Sequence, residues 1–284
     1  MTTIERAGLL YHPYIPESRA LAEELAAFLR GAGVQTWLES SRDHTSLRPR
    51  AGNSDLLVTL GGDGTILRAA RAALPKSPPI LAVNFGHLGF MTELAPDEAL
   101  EALPKVLAEQ FWVEERPLLD VVLVRDGREE ARLVAVNDVV LARGDGPHAL
   151  KLDVWVNGAL VTRYVADGLI VATPTGSTAY ALAAGGPIVA PSVDALVVVP
   201  VAAHLAHLRN LVVPAGAVVE VATGTPYHET VAVVDGQVAV PWAPGDRLRA
   251  TGSRHVVRFV RLGSREYYYE TLAKRLDRTG RHGE

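Results

Sequence analysis

The chain has 284 residues and a formal net charge of −4, with 48% hydrophobic residues, 21% charged residues and no cysteine. This length predicts two domains with sizeable cores, and the composition is that of an ordinary soluble globular protein. The absence of cysteine excludes disulfides and cysteine-ligated zinc. The negative net charge lacks the excess of basic residues that is typical of nucleic-acid-binding proteins. Because we find neither a secretory signal nor an apolar run that could span a bilayer, we expect a cytoplasmic protein with no membrane or nucleic-acid partner.

The first 110 residues alternate apolar runs with helical patterns, which is typical of a parallel α/β layer. The expected strands are residues 7–11, 34–38, 56–60 and 80–85. A helix is expected where Leu21, Leu25 and Leu29 recur at helical spacing. Residues 40–53 are polar and contain Pro49 and Gly52, so we expect a surface loop there.

The most informative stretch is residues 56–68, in which an apolar strand pattern breaks at Gly61-Gly62-Asp63-Gly64 and resumes at helical spacing. We expect Asp63 or Thr65 to cap the helix. A glycine turn between a strand and a helix is where α/β proteins hold phosphate groups. A lone acid there would repel phosphate unless it accepts a proton or holds a metal, which suggests phosphoryl transfer. The same residues are also ordinary turn formers, so this stretch alone leaves both interpretations open.

Two familiar nucleotide-binding fingerprints are missing from the sequence. The turn does not match the G-x-G-x-x-G dinucleotide pattern, and no G-x-x-x-x-G-K-[ST] phosphate loop occurs in the chain. The two folds that carry these fingerprints are therefore disfavoured.

From residue 111 onwards the sequence is rich in valine and changes to strand patterns. Four dipeptides give hairpin signals, and they are Asp126-Gly127, Asn157-Gly158, Asp167-Gly168 and Asp235-Gly236. This half predicts an antiparallel β-sandwich, followed by a strand at 256–260 and a helix at 267–276.

Residues 167–187 interrupt the strand patterns with Pro174-Thr175-Gly176-Ser177-Thr178 and a run of small residues. Small side chains expose backbone N–H groups and leave room for a flat ring, on which Tyr180 could stack. A tightly packed internal helix with a hydrogen-bonded tyrosine is the alternative interpretation.

Three motifs in order, residues 61–65, 136–140 and 167–187, resemble the bacterial NAD kinase family over nearly the whole chain. The first motif is shared with lipid kinases, whereas the third is far more specific. The resemblance implies an α/β plus all-β fold, with an N-terminal α/β (Rossmann-like) domain at 1–112. It also implies a C-terminal β-sandwich domain at 113–262 and a helical tail at 263–284 that returns to the first domain.

The activity implied by this resemblance is transfer of the γ-phosphoryl group of ATP to the 2′-hydroxyl of the adenosine ribose of NAD, giving NADP. Mg²⁺ or Mn²⁺ would arrive with ATP, and no metal-ligating side chain is assigned. A homodimer or homotetramer is the usual assembly of the family.

The resemblance also implies roles for individual residues. Asp63 matches the general base, Gly64 its phosphate-side neighbour, and Arg68 a basic residue that meets the nucleotide phosphates. Asn137 and Asp138 match a pair that grips the adenosine half of NAD, although the family usually has glutamate at position 138. Asp167 matches a contact to the nicotinamide end. The remaining positions that match the nucleotide site are His148, Thr178, Ala179, Tyr180, Ala181, Leu182, Ala183, Ala202 and Gln237.

Two other interpretations of the function remain open at this point. A lipid kinase shares the glycine turn but needs an apolar cleft and would not need residues 167–187 in this form. A non-catalytic NADP sensor would keep the pocket but could dispense with Asp63. His204 and His207 stand three apart and could be read as zinc ligands, but no acidic or cysteine partner lies at ligand spacing, so a local packing or interface role is favoured.

Overall fold

The computed structural model describes residues 4–42, 44–86, 89–144, 148–204, 210–224 and 230–280, with the backbone alone at 44–46 and 275–280. The chain divides into two compact units. Unit 1 comprises Met1–Glu115 and Val257–Glu284, and unit 2 comprises Arg116–Val256. Within the described ranges, no helix is long and apolar enough to cross a membrane.

Unit 1 begins with alternating strands and helices. In chain order these are β1 (Arg6–Tyr11), α1 (Pro16–Gly31), β2 (Gln35–Ser40), α2 (His44–Ala51), β3 (Leu56–Gly61), α3 (Asp63–Ala73), β4 (Ile80–Asn84) and α4 (Ala99–Leu107). The strands lie in the order β2-β1-β3-β4, and each neighbouring pair is parallel. The core of unit 1 forms where buried strand residues such as Leu9 and Val58 pack against Leu25 of α1 and Leu103 of α4.

Residues 40–53 do not form the expected surface loop. They contain α2, whose residues Leu47 and Ala51 are fully buried although Pro49 lies inside the helix. These two apolar side chains stand four residues apart and therefore share one helical face. Burial of this face outweighs the helix-breaking tendency of proline, so the loop prediction was wrong.

Unit 2 is built almost entirely from strands. Its elements, the first and last of which extend past its limits, are β5 (Trp112–Arg125), β6 (Arg128–Ala135), β7 (Asp138–Arg143), β8 (Leu150–Val156), β9 (Ala159–Ala166), β10 (Gly168–Ala172), α5 (Tyr180–Ala183), β11 (Ala195–Val201), β12 (Leu211–Pro214), β13 (Val219–Thr223), β14 (Thr230–Val234), β15 (Val238–Pro241) and β16 (Arg247–Arg261). The strands β12-β11-β10-β7-β14-β15 form one antiparallel sheet. The strands β16-β13-β8-β9 form a second antiparallel array.

The core of unit 2 lies between its two sheets. Val139 and Leu169 of the first sheet join Leu152 and Val219 of the second in one buried cluster. Two antiparallel sheets packed on a shared apolar core make a β-sandwich. The expected combination of an α/β part with an antiparallel β part is therefore confirmed.

Three of the four hairpin predictions are correct. Asp126, Asn157 and Asp235 each have positive φ and are followed by a positive-φ glycine between paired strands. At Asp167-Gly168 the chain instead leaves β9 and enters β10, which belongs to the other sheet. A Cβ atom at Gly168 would lie 2.6 Å from the carbonyl oxygen of Leu141, so glycine is required there by close packing and not by a turn.

After β16 the chain ends in α6 (Tyr267–Gly280), which belongs to unit 1. Tyr268 of this helix is buried and contacts the ring of Phe90, at a centroid distance of 5.6 Å. The C-terminal helix therefore packs on the segment that follows β4.

Candidate active site

The glycine turn lies at the carboxyl end of β3, beside the point where the strand order reverses. From β1 the chain goes to β2 on one side and then to β3 on the other. Ligands of open α/β sheets bind at such a reversal, outside the carboxyl ends of the strands. A Cβ atom at Gly61 would lie 2.5 Å from Oγ1 of Thr65 and 3.2 Å from Cβ of His12, so only glycine fits this corner.

The helix after the turn is not capped by a side chain. Gly62 is the N-cap and Asp63 is the first residue of α3, and no side-chain cap hydrogen bond is made. The prediction that Asp63 or Thr65 caps the helix was therefore wrong. Instead, the exposed carboxylate of Asp63 stands at the positive end of the helix dipole.

Asp63 is closely approached by the segment that follows β4. A Cβ atom at Gly89 would lie 2.6 Å from Oδ1 of Asp63. Gly89 is held by Thr92, whose hydroxyl accepts the Gly89 N–H at 2.8 Å and donates to the Gly89 carbonyl at 3.1 Å. The neighbouring residues His87 and Leu88 lie outside the described residues.

A fully buried arginine forms hydrogen bonds with the backbone of this segment. Arg261 of β16 donates to the carbonyl oxygens of Met91 and Thr92 at 3.4 and 3.2 Å. It forms salt bridges with Glu93 at 3.0 Å and Glu114 at 2.7 Å. Because Arg261 has no solvent exposure, these bonds fix the backbone next to Gly89 from within the core.

Three residues that sequence reasoning missed or placed only by resemblance surround the glycine turn. His12 follows β1, and its N–H donates to the Leu60 carbonyl at 3.0 Å. Arg42 follows β2 and donates to the Tyr14 hydroxyl at 3.1 Å, with its guanidinium 4.9 Å from the centre of the Tyr14 ring. Arg68, the residue expected from the resemblance, donates to the Gly64 carbonyl at 3.2 Å. The signal that could have found His12 and Arg42 is their position, because residues directly after parallel strands line the ligand edge of such a sheet.

The charges of these groups act on one another. Burial lowers the pKa of His12, and the positive charges of Arg42 and Arg68 lower that pKa further. Burial likewise lowers the pKa of Arg68, and Arg42 and Arg71 add to the effect. Mutual repulsion of this kind marks a region of positive potential.

In unit 2 the predicted pair Asn137-Asp138 is held by a second carboxylate. Asp235, at the hairpin between β14 and β15, accepts the N–H groups of Val136, Asn137 and Asp138 at 2.8–3.3 Å. The side-chain oxygen of Asn137 is buried and has no hydrogen-bond partner among the described residues. An orphaned acceptor on an anchored backbone is what a ligand donor would satisfy.

Asp138 is almost completely enclosed, with 4% exposure. Burial raises the pKa of Asp138 to about 7, and the nearby charge of Asp235 contributes to the rise. Asp138 therefore changes its charge near neutral pH.

The predicted segment after β10 packs directly on Asn137. The Thr173 hydroxyl donates to the Val136 carbonyl at 2.7 Å, and the Thr173 N–H donates to the Asn137 carbonyl at 2.8 Å. A Cβ atom at Gly176 would lie 2.1 Å from the same Asn137 oxygen. The expected small-residue helix is a 3₁₀ turn, Gly176–Thr178, followed by the short α5, on which Tyr180 is 47% exposed. Tyr180 is thus not the buried tyrosine of the alternative interpretation.

Asp167 lies at the other end of β10 and is paired with a cation. Arg143 of β7 forms a salt bridge with Asp167 at 3.0 Å, and both side chains are about one-third exposed. Asp138 pairs with Ala172 at the far end of the same strand. Five residue steps of about 3.4 Å separate the two acids along the sheet.

The remaining predicted residues lie at the rim of unit 2. His148 is exposed, Ala202 is exposed with φ of +48°, and the Gln237 N–H closes the β14–β15 hairpin. His204 donates its N–H to the Val165 carbonyl, whereas His207 lies outside the described residues. Across the described ranges, no group of three or more His, Cys, Asp or Glu is placed to hold a metal ion.

Comparison with known proteins assigns the chain to a family. Residues 30–111 match the model of the ATP-NAD kinase N-terminal domain, and residues 136–262 match that of the ATP-NAD kinase C-terminal domain. The chain belongs to the NAD kinase family. NAD kinases are phosphotransferases, so the prediction of a kinase is confirmed.

Individual NAD kinases match along nearly the whole chain. The NAD kinase of Dehalococcoides mccartyi is 40% identical over 273 residues, which is 96% of either protein. That of Chloroflexus aurantiacus is 40% identical over 276 residues, covering 97% of this chain and 100% of the relative. Both exceed the length of either domain alone, so the two-part organisation is shared.

Solved structures of the family are similar in fold. A yeast NADH kinase in complex with NADH has a TM-score of 0.81 at 27% identity, covering 92% of this chain and 84% of that one. An NAD kinase from Archaeoglobus fulgidus in complex with ATP has a TM-score of 0.77 at 26% identity, covering 95% and 98%.

The predicted residues of this NAD kinase fall into two groups. Unit 1 carries Asp63, Gly64 and Arg68, which share the first two turns of α3. Unit 2 carries all the others. Within unit 2 the structure brings Asn137 into contact with the segment that leads to Thr178 and Tyr180, while Asp167 and Ala202 lie towards the opposite end of β10 and β11.

Proposed function

We propose that this chain transfers the γ-phosphoryl group of ATP to the 2′-hydroxyl of the adenosine ribose of NAD, with Asp63 as the general base. The observation that carries the proposal is the position of Asp63. It is an exposed carboxylate at the first residue of α3, in a glycine turn at the reversal of strand order. A carboxylate there can accept the proton of a ribose hydroxyl as the new bond to phosphorus forms.

The donor half of the reaction is assigned to unit 1. Backbone N–H groups at the start of α3 and the cation Arg68 are suited to phosphate oxygens. Phosphoryl transfer proceeds through a loose transition state, which needs positioning and charge neutralisation more than covalent chemistry.

The acceptor half is assigned to unit 2. The orphaned Asn137 oxygen and the Asp138 carboxylate would bond the ribose hydroxyls, and Thr178, Ala179, Tyr180, Ala181, Leu182 and Ala183 would surround the base. Asp167, His148, Ala202 and Gln237 would line the rest of the dinucleotide. The separation of Asp138 and Asp167 along β10 suits a ligand with a ring system at each end.

A divalent cation, Mg²⁺ or Mn²⁺, would accompany ATP and neutralise its phosphate oxygens. The residues fit such an ion, because Mg²⁺ is usually bound through phosphates, water and one or two carboxylates. Asp63 is the exposed carboxylate next to the phosphate-binding turn.

We further propose that the enzyme is a homodimer or homotetramer and works in the cytoplasm. Light scattering on the purified protein measures the assembly directly, and a monomer at micromolar concentration would refute that part.

The test of the activity uses purified protein with NAD, ATP and Mg²⁺. An NADP-specific dehydrogenase reads the product, because it rejects the isomer phosphorylated at the 3′-hydroxyl. NADP as the sole product supports the proposal, and a phosphorylated NAD that this enzyme does not oxidise or reduce would refute the ribose assignment. Parallel assays with NADH, polyphosphate, diacylglycerol and sphingosine define donor and acceptor, and phosphorylated lipid in place of NADP would favour a lipid kinase.

A further inference from the structure

Two arginines and one histidine, from three separate segments of unit 1, surround the reversal of strand order. His12 follows β1, Arg42 follows β2, and Arg68 lies in the second turn of α3. The strands β1 and β2 are parallel neighbours, and the Ser41 N–H donates to the Tyr11 carbonyl at 2.9 Å. The fold thereby brings the ends of both strands to the edge at which the glycine turn stands.

The two arginines of this cluster are bonded to neutral oxygens. Arg42 donates to the hydroxyl of Tyr14 and Arg68 to the carbonyl of Gly64. Over the described residues, neither arginine forms a salt bridge with a carboxylate. Elsewhere in unit 1 the arginines Arg6, Arg19, Arg50 and Arg258 each have a carboxylate partner within 4.0 Å.

His12 presents a neutral hydrogen-bond donor beside these charges. The Tyr14 N–H donates to Nδ1 of His12 at 3.3 Å, which leaves the ring proton on Nε2. The groups facing this ring are Arg42 from the segment after β2, Arg68 from α3, which begins with the acid Asp63, and Tyr14 from its own segment. The pKa of His12 is lowered by burial and by the two arginines, which favours the neutral ring.

We propose that His12 and Arg42, together with Arg68, bind the phosphate chain of the phosphoryl donor. This inference rests on the proposed kinase activity and adds residues and a ligand class to it, namely a linear polyphosphate group. A chain of phosphates carries several negative charges, and partly exposed cations with neutral partners can bind them without first breaking a salt bridge. Asp63 stands in the same turn, so the cluster would also offset the repulsion between that acid and the donor.

The experiment compares Arg42→Met and His12→Phe with the parent chain. Two quantities are measured, the KM for ATP and the affinity for inorganic tripolyphosphate by calorimetry in the absence of NAD. We expect each variant to raise the KM for ATP and the dissociation constant for tripolyphosphate by about three- to tenfold, while the KM for NAD changes by less than about twofold. The expected effect of Arg42→Met is modest because Arg42 is exposed.

Two further variants separate phosphate binding from general damage. His12→Gln keeps a side-chain amide donor near the position of Nε2 and should retain most of the affinity. Arg6→Met removes an arginine from the opposite end of β1, where Arg6 pairs with Asp55, and should leave both quantities unchanged. Thermal unfolding of all variants checks that each is folded.

Each result decides the matter. Unchanged tripolyphosphate affinity in both Arg42→Met and His12→Phe would overturn the proposal. A rise in the KM for NAD in place of that for ATP would also overturn it, because the cluster would then hold the pyrophosphate of the acceptor. If the parent chain binds tripolyphosphate but makes no NADP, the kinase proposal fails and the phosphate cluster stands. Comparison of ATP with long-chain polyphosphate as donor then identifies which source of phosphate the cluster serves.

Discussion

Gly89 lies against the carboxylate of Asp63, so closely that a Cβ atom at Gly89 would stand 2.6 Å from Oδ1. Real Cβ atoms essentially never come this close to another heavy atom, so something must shift if Gly89 gains a side chain. Because Thr92 holds the Gly89 backbone through two hydrogen bonds, we expect the carboxylate to be the group that moves. Gly89→Ala is therefore expected to displace the base and to lower kcat by at least about tenfold, because small displacements at the reacting centre are costly. The matched control is Gly31→Ala, which meets nothing within 4 Å. Equal kcat values for the two variants would show that the carboxylate relocates without consequence.

Asp63→Asn tests the general base directly. The amide keeps the shape of the side chain but cannot accept the proton of a hydroxyl. We expect kcat to fall by about 10²–10⁴ with little change in nucleotide affinity. Asp97→Asn, at an exposed position of unit 1, serves as the control. Turnover within a few-fold of the parent would exclude Asp63 as the base.

Substitutions of Arg261 test whether this arginine holds the segment around Gly89 in place. Arg261→Met leaves Glu93 and Glu114 buried without their cation, which costs about 3–5 kcal/mol of unfolding free energy. Arg261→Lys keeps the charge but loses the fork that bonds several oxygens, so we expect a smaller loss of stability and a clear loss of kcat at temperatures where it is folded. Arg258→Met is the control, since its pair with Glu115 is exposed and worth about 0–1 kcal/mol. Wild-type kcat in Arg261→Lys would mean that the segment is positioned without this arginine.

Features set by neighbouring residues were predictable from the sequence. The glycine turn between β3 and α3 and the hairpins at Asp126, Asn157 and Asp235 follow from residues a few positions apart. The capping of α3 by Asp63 or Thr65 was a local prediction that failed, but the wrong predictions at Gly168 and at residues 40–53 share another cause, which is contact between residues far apart in the chain. Gly168 has the local pattern of a turn, but the carbonyl of Leu141 on another strand decides its use. Likewise α2 forms because Leu47 and Ala51 are buried in unit 1, which composition does not reveal.

The same distinction applies to the candidate site. Asp63 and Asn137-Asp138 stand out as motifs, whereas His12 and Arg42 have no motif around them. Their proximity depends on the pairing of β1 with β2 and β3, and so on topology. The role of Asp235 was also hidden, because its bonds to the backbone of Asn137 and Asp138 span almost 100 residues of sequence.

Asp138 makes the stability of the protein depend on pH. Its pKa is raised from 3.8 to about 7 in the folded state, so the protonated form is favoured by folding. The contribution to stability is therefore fully present below about pH 4 and is lost as the pH rises through about 7, by an amount on the order of 4 kcal/mol. Asp138→Asn is permanently neutral and should flatten this part of the curve, which urea unfolding between pH 4 and 8 measures. Asp194→Asn, an exposed change in unit 2, should keep the parent slope, and a parent-like slope in Asp138→Asn would refute the assignment.

Asp138 also tests how the acceptor is held, because aspartate reaches one methylene less far than the glutamate that the family usually has there. Asp235 bonds the backbone of Asn137 and Asp138 and fixes the base of both side chains, so the backbone stays in place when the Asp138 side chain is shortened. Asp138→Ala should therefore weaken NAD binding by about 1.5–3 kcal/mol, the worth of a hydrogen bond to a charged group, while ATP binding is nearly unchanged. Calorimetric titration of each nucleotide provides the comparison, and it is best made above pH 7, where the carboxylate is ionised. Asp153→Ala, a partly exposed acid on β8, is the control. Unchanged NAD affinity in Asp138→Ala would mean that the shorter side chain does not reach the ribose, and equal losses for both nucleotides would mean that the change disturbs the fold and not the acceptor site.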